Sequence, residues 1–86
     1  MEKSIYTHEY LVFLRLLRNA RERASVTQAD LGKRLGHTQS FVSKCERGER
    51  RLDTVELRHF CDALGVDLRQ LVEKLHTALG PRRRRQ

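Results

Sequence analysis

Apolar residues in this chain recur at steps of three and four, and nowhere do they alternate with period two for long enough to suggest a strand. Near the start the stripe is Tyr10, Phe13, Leu14, Leu17, Ala20 and Ala24. Later it is Leu57, Phe60, Cys61 and Leu64, then Leu68, Leu71, Val72, Leu75 and Leu79. These stripes are read as core. Gly36, Gly48, Gly65 and Gly80 stand between periodic segments and read as helix stops. Thr27, Thr38, Asp53 and Asp67 stand where a side-chain oxygen can cap the next helix. Asp53 with Glu56, and Asp67 with Gln70, have the spacing of a capping box. The pattern predicts five helices, at 7–24, 28–35, 39–47, 54–64 and 68–79. The expected fold is all-α, a compact five-helix bundle in one domain over 1–79, with a basic, disordered tail at 80–86.

The second and third of these helices are short, and only Gly36-His37-Thr38 separates them. So brief a connection containing glycine turns the chain sharply, as in a helix-turn-helix. At about 100° per residue, Gln39, Ser43, Arg47, Ser40 and Lys44 share one arc of the third helix, while Phe41, Cys45 and Val42 share the opposite one. The first arc holds groups that can bond base edges: Gln to adenine, Lys to guanine, Ser to either. Its one acid, Glu46, turns towards the protein. The competing reading is an ordinary solvated face, but such faces commonly carry Asp or Glu. Arg47, Arg50 and Arg51 would flank a DNA groove and suit phosphate oxygens. Gln28, in the first turn of the second helix, would point at a phosphate, and Thr38 is placed with it.

Charge sharpens this picture. The net charge is +7, with +4 in residues 31–52 and +4 in the last seven, against −2 over 53–79. Such asymmetry suggests a polyanionic partner, although a solubilising surface is the plain alternative. The longest apolar run, Leu11 to Leu14, falls far short of the ~20 residues of a membrane span, and no signal peptide is read at the start. A cytoplasmic, nucleoid-associated protein with no membrane partner is expected. Cys45 and Cys61 have neither C-x-x-C nor zinc-ligand spacing and are expected as buried, reduced thiols.

The runs Ala20-Arg21-Glu22, Val26-Thr27-Gln28-Ala29-Asp30-Leu31-Gly32 and Leu35 through Asp53, continuing to Leu57 and Ala63-Leu64-Gly65-Val66, resemble the Cro/phage-repressor (xenobiotic response element) helix-turn-helix family over about 14–72. The resemblance implies a lambda-repressor-like five-helix fold that binds operator DNA, usually as a two-fold dimer. It matches Gln28 to a phosphate-contacting Gln, and Gln39, Ser40, Ser43 and Lys44 to base-reading positions. It also matches Arg21 and Glu46 to an ion pair between helices 1 and 3. Two residues depart from the family pattern. Gly32 stands where Ala is usual, costing about 1 kcal/mol of helix propensity but permitting a close approach of helix 3. Cys45 stands where a larger residue, often Tyr, is common.

The expected function is a sequence-specific transcription regulator, a repressor, binding a palindromic operator as a homodimer. No catalytic activity, metal, cofactor or small-molecule effector is expected: the histidines at 8, 37, 59 and 76 are scattered, and no serine or cysteine has an evident base nearby. His37 is expected as a solvated loop residue, with a phosphate contact as the other possibility. Leu68, Val72, Leu75 and Leu79 form a seam suited to another helix, and Val12 with Leu16 a second patch, which a dimer would cover. Mutual covering of helices 1 and 5 within one chain is the alternative. The competing function is an interaction module, or an antitoxin-type subunit, built on the same fold.

Overall fold

The computed structural model describes residues 7–81. Five helices follow in order: α1 (His8–Arg23), α2 (Gln28–Leu35), α3 (Gln39–Glu46), α4 (Thr54–Leu64) and α5 (Leu68–Leu79). The arginine tail expected at 80–86 lies outside the described residues from Arg82 onward.

The helix starts follow from their caps. The side chains of Thr7, Thr27, Thr38 and Asp53 each accept from the N–H three residues on, at Tyr10, Asp30, Phe41 and Glu56. Each such cap contributes about 1 kcal/mol. Asp53 and Glu56 close a reciprocal capping box. Asp67 and Gln70 do not, which corrects the reading from their spacing. The Asp67 carboxylate instead accepts from the Arg69 N–H at 2.8 Å and meets the Arg69 guanidinium at 3.4 Å. The Asp67 ψ of 122°, against 154° to 177° at the other four caps, aims the carboxylate one residue short. At the end of α1 the chain turns at Ser25, which takes a φ of 59° with no glycine to mark it.

One core joins all five helices. Phe13, Leu14 and Leu17 of α1 meet Leu31, Val42, Cys45, Phe60, Cys61, Leu64 and Leu71, with Val26 from the first connection. Fully burying a residue of this kind contributes about 1.5–3 kcal/mol. On α5 only Leu71 is buried, and Val72, read as core, is 48% exposed. The stripe is narrower than its spacing suggests because α5 lies along α1, where Leu68, Leu75 and Leu79 are half-buried. Leu16, read as part of an uncovered patch, packs against the core. Ala24 is exposed at the α1 cap and leaves the predicted stripe.

Both cysteines are buried free thiols. Burial pushes each thiol above its usual pKa, at Cys45 against the pull of Arg50 and at Cys61 with help from Asp62 and Asp67. No cluster among the described residues could hold a metal ion, and no described helix is long and apolar enough to cross a membrane.

Candidate nucleic-acid interface

The corner between α2 and α3 sets the site. Gly36 takes a φ of 75°, and two hydrogen bonds run back from this corner to the last turn of α2. Its own N–H donates to the Lys33 carbonyl at 3.1 Å, and that of His37 to the Gly32 carbonyl at 2.8 Å. An L side chain at residue 36 would strain this left-handed turn. Gly32 matters for a different reason. A Cβ there would stand 2.7 Å from the carbonyl oxygen of Thr38 and 2.8 Å from its carbon. Backbone meets backbone at this point, and the close approach read from the sequence is present. The His37 ring is not simply solvated: it stacks on Phe41 with centroids 3.8 Å apart and planes 12° from parallel.

A second lock holds α3 from within. Arg21 of α1 is buried and donates from Nε to Glu46 Oε2 at 2.6 Å and from Nη2 to Oε1 at 3.1 Å. Its Nη1 donates to the Val26 carbonyl at 2.9 Å, so the guanidinium also pins the α1–α2 connection. The Glu46 carboxylate holds Arg21 above its ordinary pKa, against desolvation. Gln28 of α2 donates its amide to Glu46 Oε1 at 2.9 Å. The ion pair implied by resemblance thus acquires a third member that sequence reasoning had placed on a phosphate. One Gln28 amide hydrogen is left over, and its backbone N–H belongs to the open first turn of α2.

With Glu46 turned inward, its side chain only 4% exposed, the outer surface of α3 is free of acid. Gln39, Ser40 and Lys44 are exposed and Ser43 half-exposed, whereas Val42 and Cys45 are fully buried. The two arcs separate as their angular positions suggest. Thr38 spends an acceptor lone pair on the Phe41 N–H at 3.1 Å and keeps its hydroxyl proton for an outside acceptor.

The arginines beyond α3 are more engaged than their sequence suggests. Gly48, with φ 82°, folds the chain back so that its N–H donates to the Cys45 carbonyl at 3.1 Å and the Glu49 N–H to the Lys44 carbonyl at 2.9 Å. Glu49 then grips Arg47: Arg47 Nε and Nη2 donate to its two oxygens at 2.9 and 3.2 Å, while Nη1 donates to the Ser43 hydroxyl. This guanidinium holds the Glu49 carboxyl below the usual carboxylate range, with further help from Lys44. Arg50 donates to Glu56 Oε2 at 2.7 Å and lies 5.0 Å from the centroid of Phe41. Arg51 sits over Tyr10 at 4.2 Å, and the Tyr10 hydroxyl accepts from the Leu52 N–H at 3.2 Å. Tyr10, read only as core, therefore anchors the loop that follows α3. A contact spanning 42 residues leaves no local signal in the sequence.

Comparison with known proteins bears on this surface. A family model described as a helix-turn-helix domain matches residues 12–75. Among solved structures, an XRE-family like protein from Pseudomonas syringae pv. tomato str. DC3000 is similar with a TM-score of 0.81 and 46% identity, covering 91% of this chain and 94% of its own. A search of curated proteins finds no match. A model spanning most of the chain and a neighbour this similar in both sequence and shape lead to one conclusion: the chain belongs to the XRE/Cro-type helix-turn-helix family of DNA-binding regulators.

Proposed function

We infer that the protein is a non-enzymatic, sequence-specific repressor, in the cytoplasm with the nucleoid, that binds a palindromic operator as a homodimer. In this reading α3 lies in the major groove, where Gln39, Ser40, Ser43 and Lys44 reach base edges. Gln28, Thr38, Arg50 and Arg51 face phosphates around it and fix the register. Occupying the operator would exclude other proteins from it.

The observation that carries this reading is the separation of the two faces of α3. Val42 and Cys45 are sealed at 0% exposure, and the helix's one acid is buried against Arg21. What remains outward is neutral or cationic and able to donate. With that carboxylate held by Arg21 and Gln28, nothing on the outer face of α3 repels a phosphate. The arginine tail at 82–85 would add affinity for any duplex without choosing sequence.

The test is selection of bound sites from a random duplex pool, followed by affinities for the selected operator and a scrambled duplex at two salt concentrations. Gln39→Ala or Lys44→Ala is expected to cost about 1–3 kcal/mol on the operator where the lost contact is bidentate. The same variants should cost far less on scrambled DNA. Equal losses on both duplexes would mean that α3 does not read sequence, and would favour the interaction-module reading.

A further inference from the structure

Arg47 differs from the other arginines at this surface in what holds it and in what is left over. It caps α3 in helical geometry, with φ −85° and ψ −4°, and its N–H donates to the Ser43 carbonyl at 3.0 Å. Its side chain therefore continues the polar arc of α3 by one position. Of its five guanidinium hydrogens, those on Nε and one on Nη2 go to Glu49, and one on Nη1 goes to Ser43. One hydrogen remains on each terminal nitrogen, and donors so placed can match two neighbouring acceptors. Glu49 and Ser43 thus hold the group from two sides and leave its tip open.

The charge of this assembly decides what the tip can bind. A phosphate oxygen approaching Arg47 would also meet the Glu49 carboxylate, which offsets the attraction. A guanine edge presents N7 and O6, two acceptors without net charge, and is repelled less. The Arg47–Glu49 pair is about half exposed, 54% and 52% for the side chains, so it does little for stability. Its consequence falls on the DNA-facing side. By contrast, Glu56, which grips Arg50, also closes the cap of α4.

We propose that Arg47 is a base-reading residue that recognises a guanine beside the footprint of α3, and that Glu49 positions it and keeps it off phosphates. The proposal rests on α3 lying in the major groove, as above, and replaces the phosphate contact expected for Arg47 from its sequence. Glu49 thereby becomes a specificity residue that never touches DNA. Its carboxylate weakens binding to every duplex and leaves the matched site the least affected.

The experiment uses the operator selected from the random pool, its scrambled counterpart, and versions of the operator in which single guanines are replaced by 7-deazaguanine, which lacks the N7 acceptor. Arg47→Ala is expected to lose about tenfold to a hundredfold on the operator and little on the scrambled duplex. One 7-deazaguanine position should weaken the unaltered protein about tenfold and leave Arg47→Ala unaffected. Glu49→Gln should bind the scrambled duplex more tightly, with a steeper dependence on salt by about one unit, narrowing the preference for the operator. Equal weakening of both duplexes by Arg47→Ala, with a salt dependence shallower by about one unit, would identify a phosphate contact and overturn the proposal. So would unchanged scrambled binding by Glu49→Gln. If Gln39→Ala stays selective in either case, only the Arg47 assignment falls; if Gln39→Ala also weakens both duplexes equally, the groove reading falls with it.

Discussion

Glu46 illustrates how one residue serves two parts of the structure. It removes an acid from the outer face of α3 and gives Arg21 and Gln28 a common acceptor. Glu46→Ala would leave the Arg21 guanidinium buried with only the Val26 carbonyl, and is expected to cost about 2–4 kcal/mol, read as a lower thermal midpoint. An unchanged midpoint would show that the charge finds water. Gly32 presents the opposite case, a residue chosen for what it lacks. Alanine would recover about 1 kcal/mol of helix propensity but press its Cβ into the Thr38 backbone. The expected net effect of Gly32→Ala is a loss of about 1–3 kcal/mol with reduced operator affinity, because neither backbone can yield without moving α3. A variant as stable as the original would mean that the corner opens at no cost.

At the level of helices, much was legible because the signals are local. Thr27, Thr38 and Asp53 announce α2, α3 and α4 through hydrogen bonds that span three residues. The angular separation on α3 needs only the helical repeat. What escaped the sequence was either unmarked or distant. Ser25 turns the chain at positive φ where only a glycine would have been noticed. Tyr10 reaches Leu52, and Gln28 reaches Glu46, across intervals with no periodic trace. The Asp67 cap closes on Arg69 because its ψ of 122° departs from that of the other caps, which spacing alone does not show. The closed box at α4 has a dependence on acid. Arg50 and the Asp53 N–H hold the Glu56 carboxyl below its ordinary value of 4.5. Its stabilisation is thus complete above about that pH and is lost as the pH falls through the lower folded value. Glu56→Gln should lower the thermal midpoint by a few degrees at pH 7, and the gap from the unaltered protein should close towards pH 3. A gap that persisted at low pH would show that the charge of Glu56 is irrelevant.

For the molecule as a whole, α5 is the helix with the least of its apolar stripe buried. Val72 is 48% exposed, and Leu68, Leu75 and Leu79 are only half covered by α1. A two-fold dimer through this region would present two copies of α3 to successive turns of one DNA face, about 34 Å apart. Sedimentation at tens of micromolar should then show a dimer, at least with operator present. Monomer alone under both conditions would remove the homodimer and leave the mutual covering of α1 and α5 within one chain as the account of these residues.

The shortness of α3 has one more consequence. Eight residues are too few to hold a helix in water unaided, since isolated helices below about 12–15 residues are marginal. Its order is borrowed from the Gly32 contact, the Arg21 lock and the sealed side chains of Val42 and Cys45. Local melting of α3 would have to break all three together, so it belongs to the same cooperative unit as α1 and α2. Its amide hydrogens from Val42 onward should therefore exchange with solvent at the rate of global opening, while those of the last turn of α5 exchange sooner. On the function proposed for α3, its backbone would meet DNA already rigid, and association would lose little backbone freedom there.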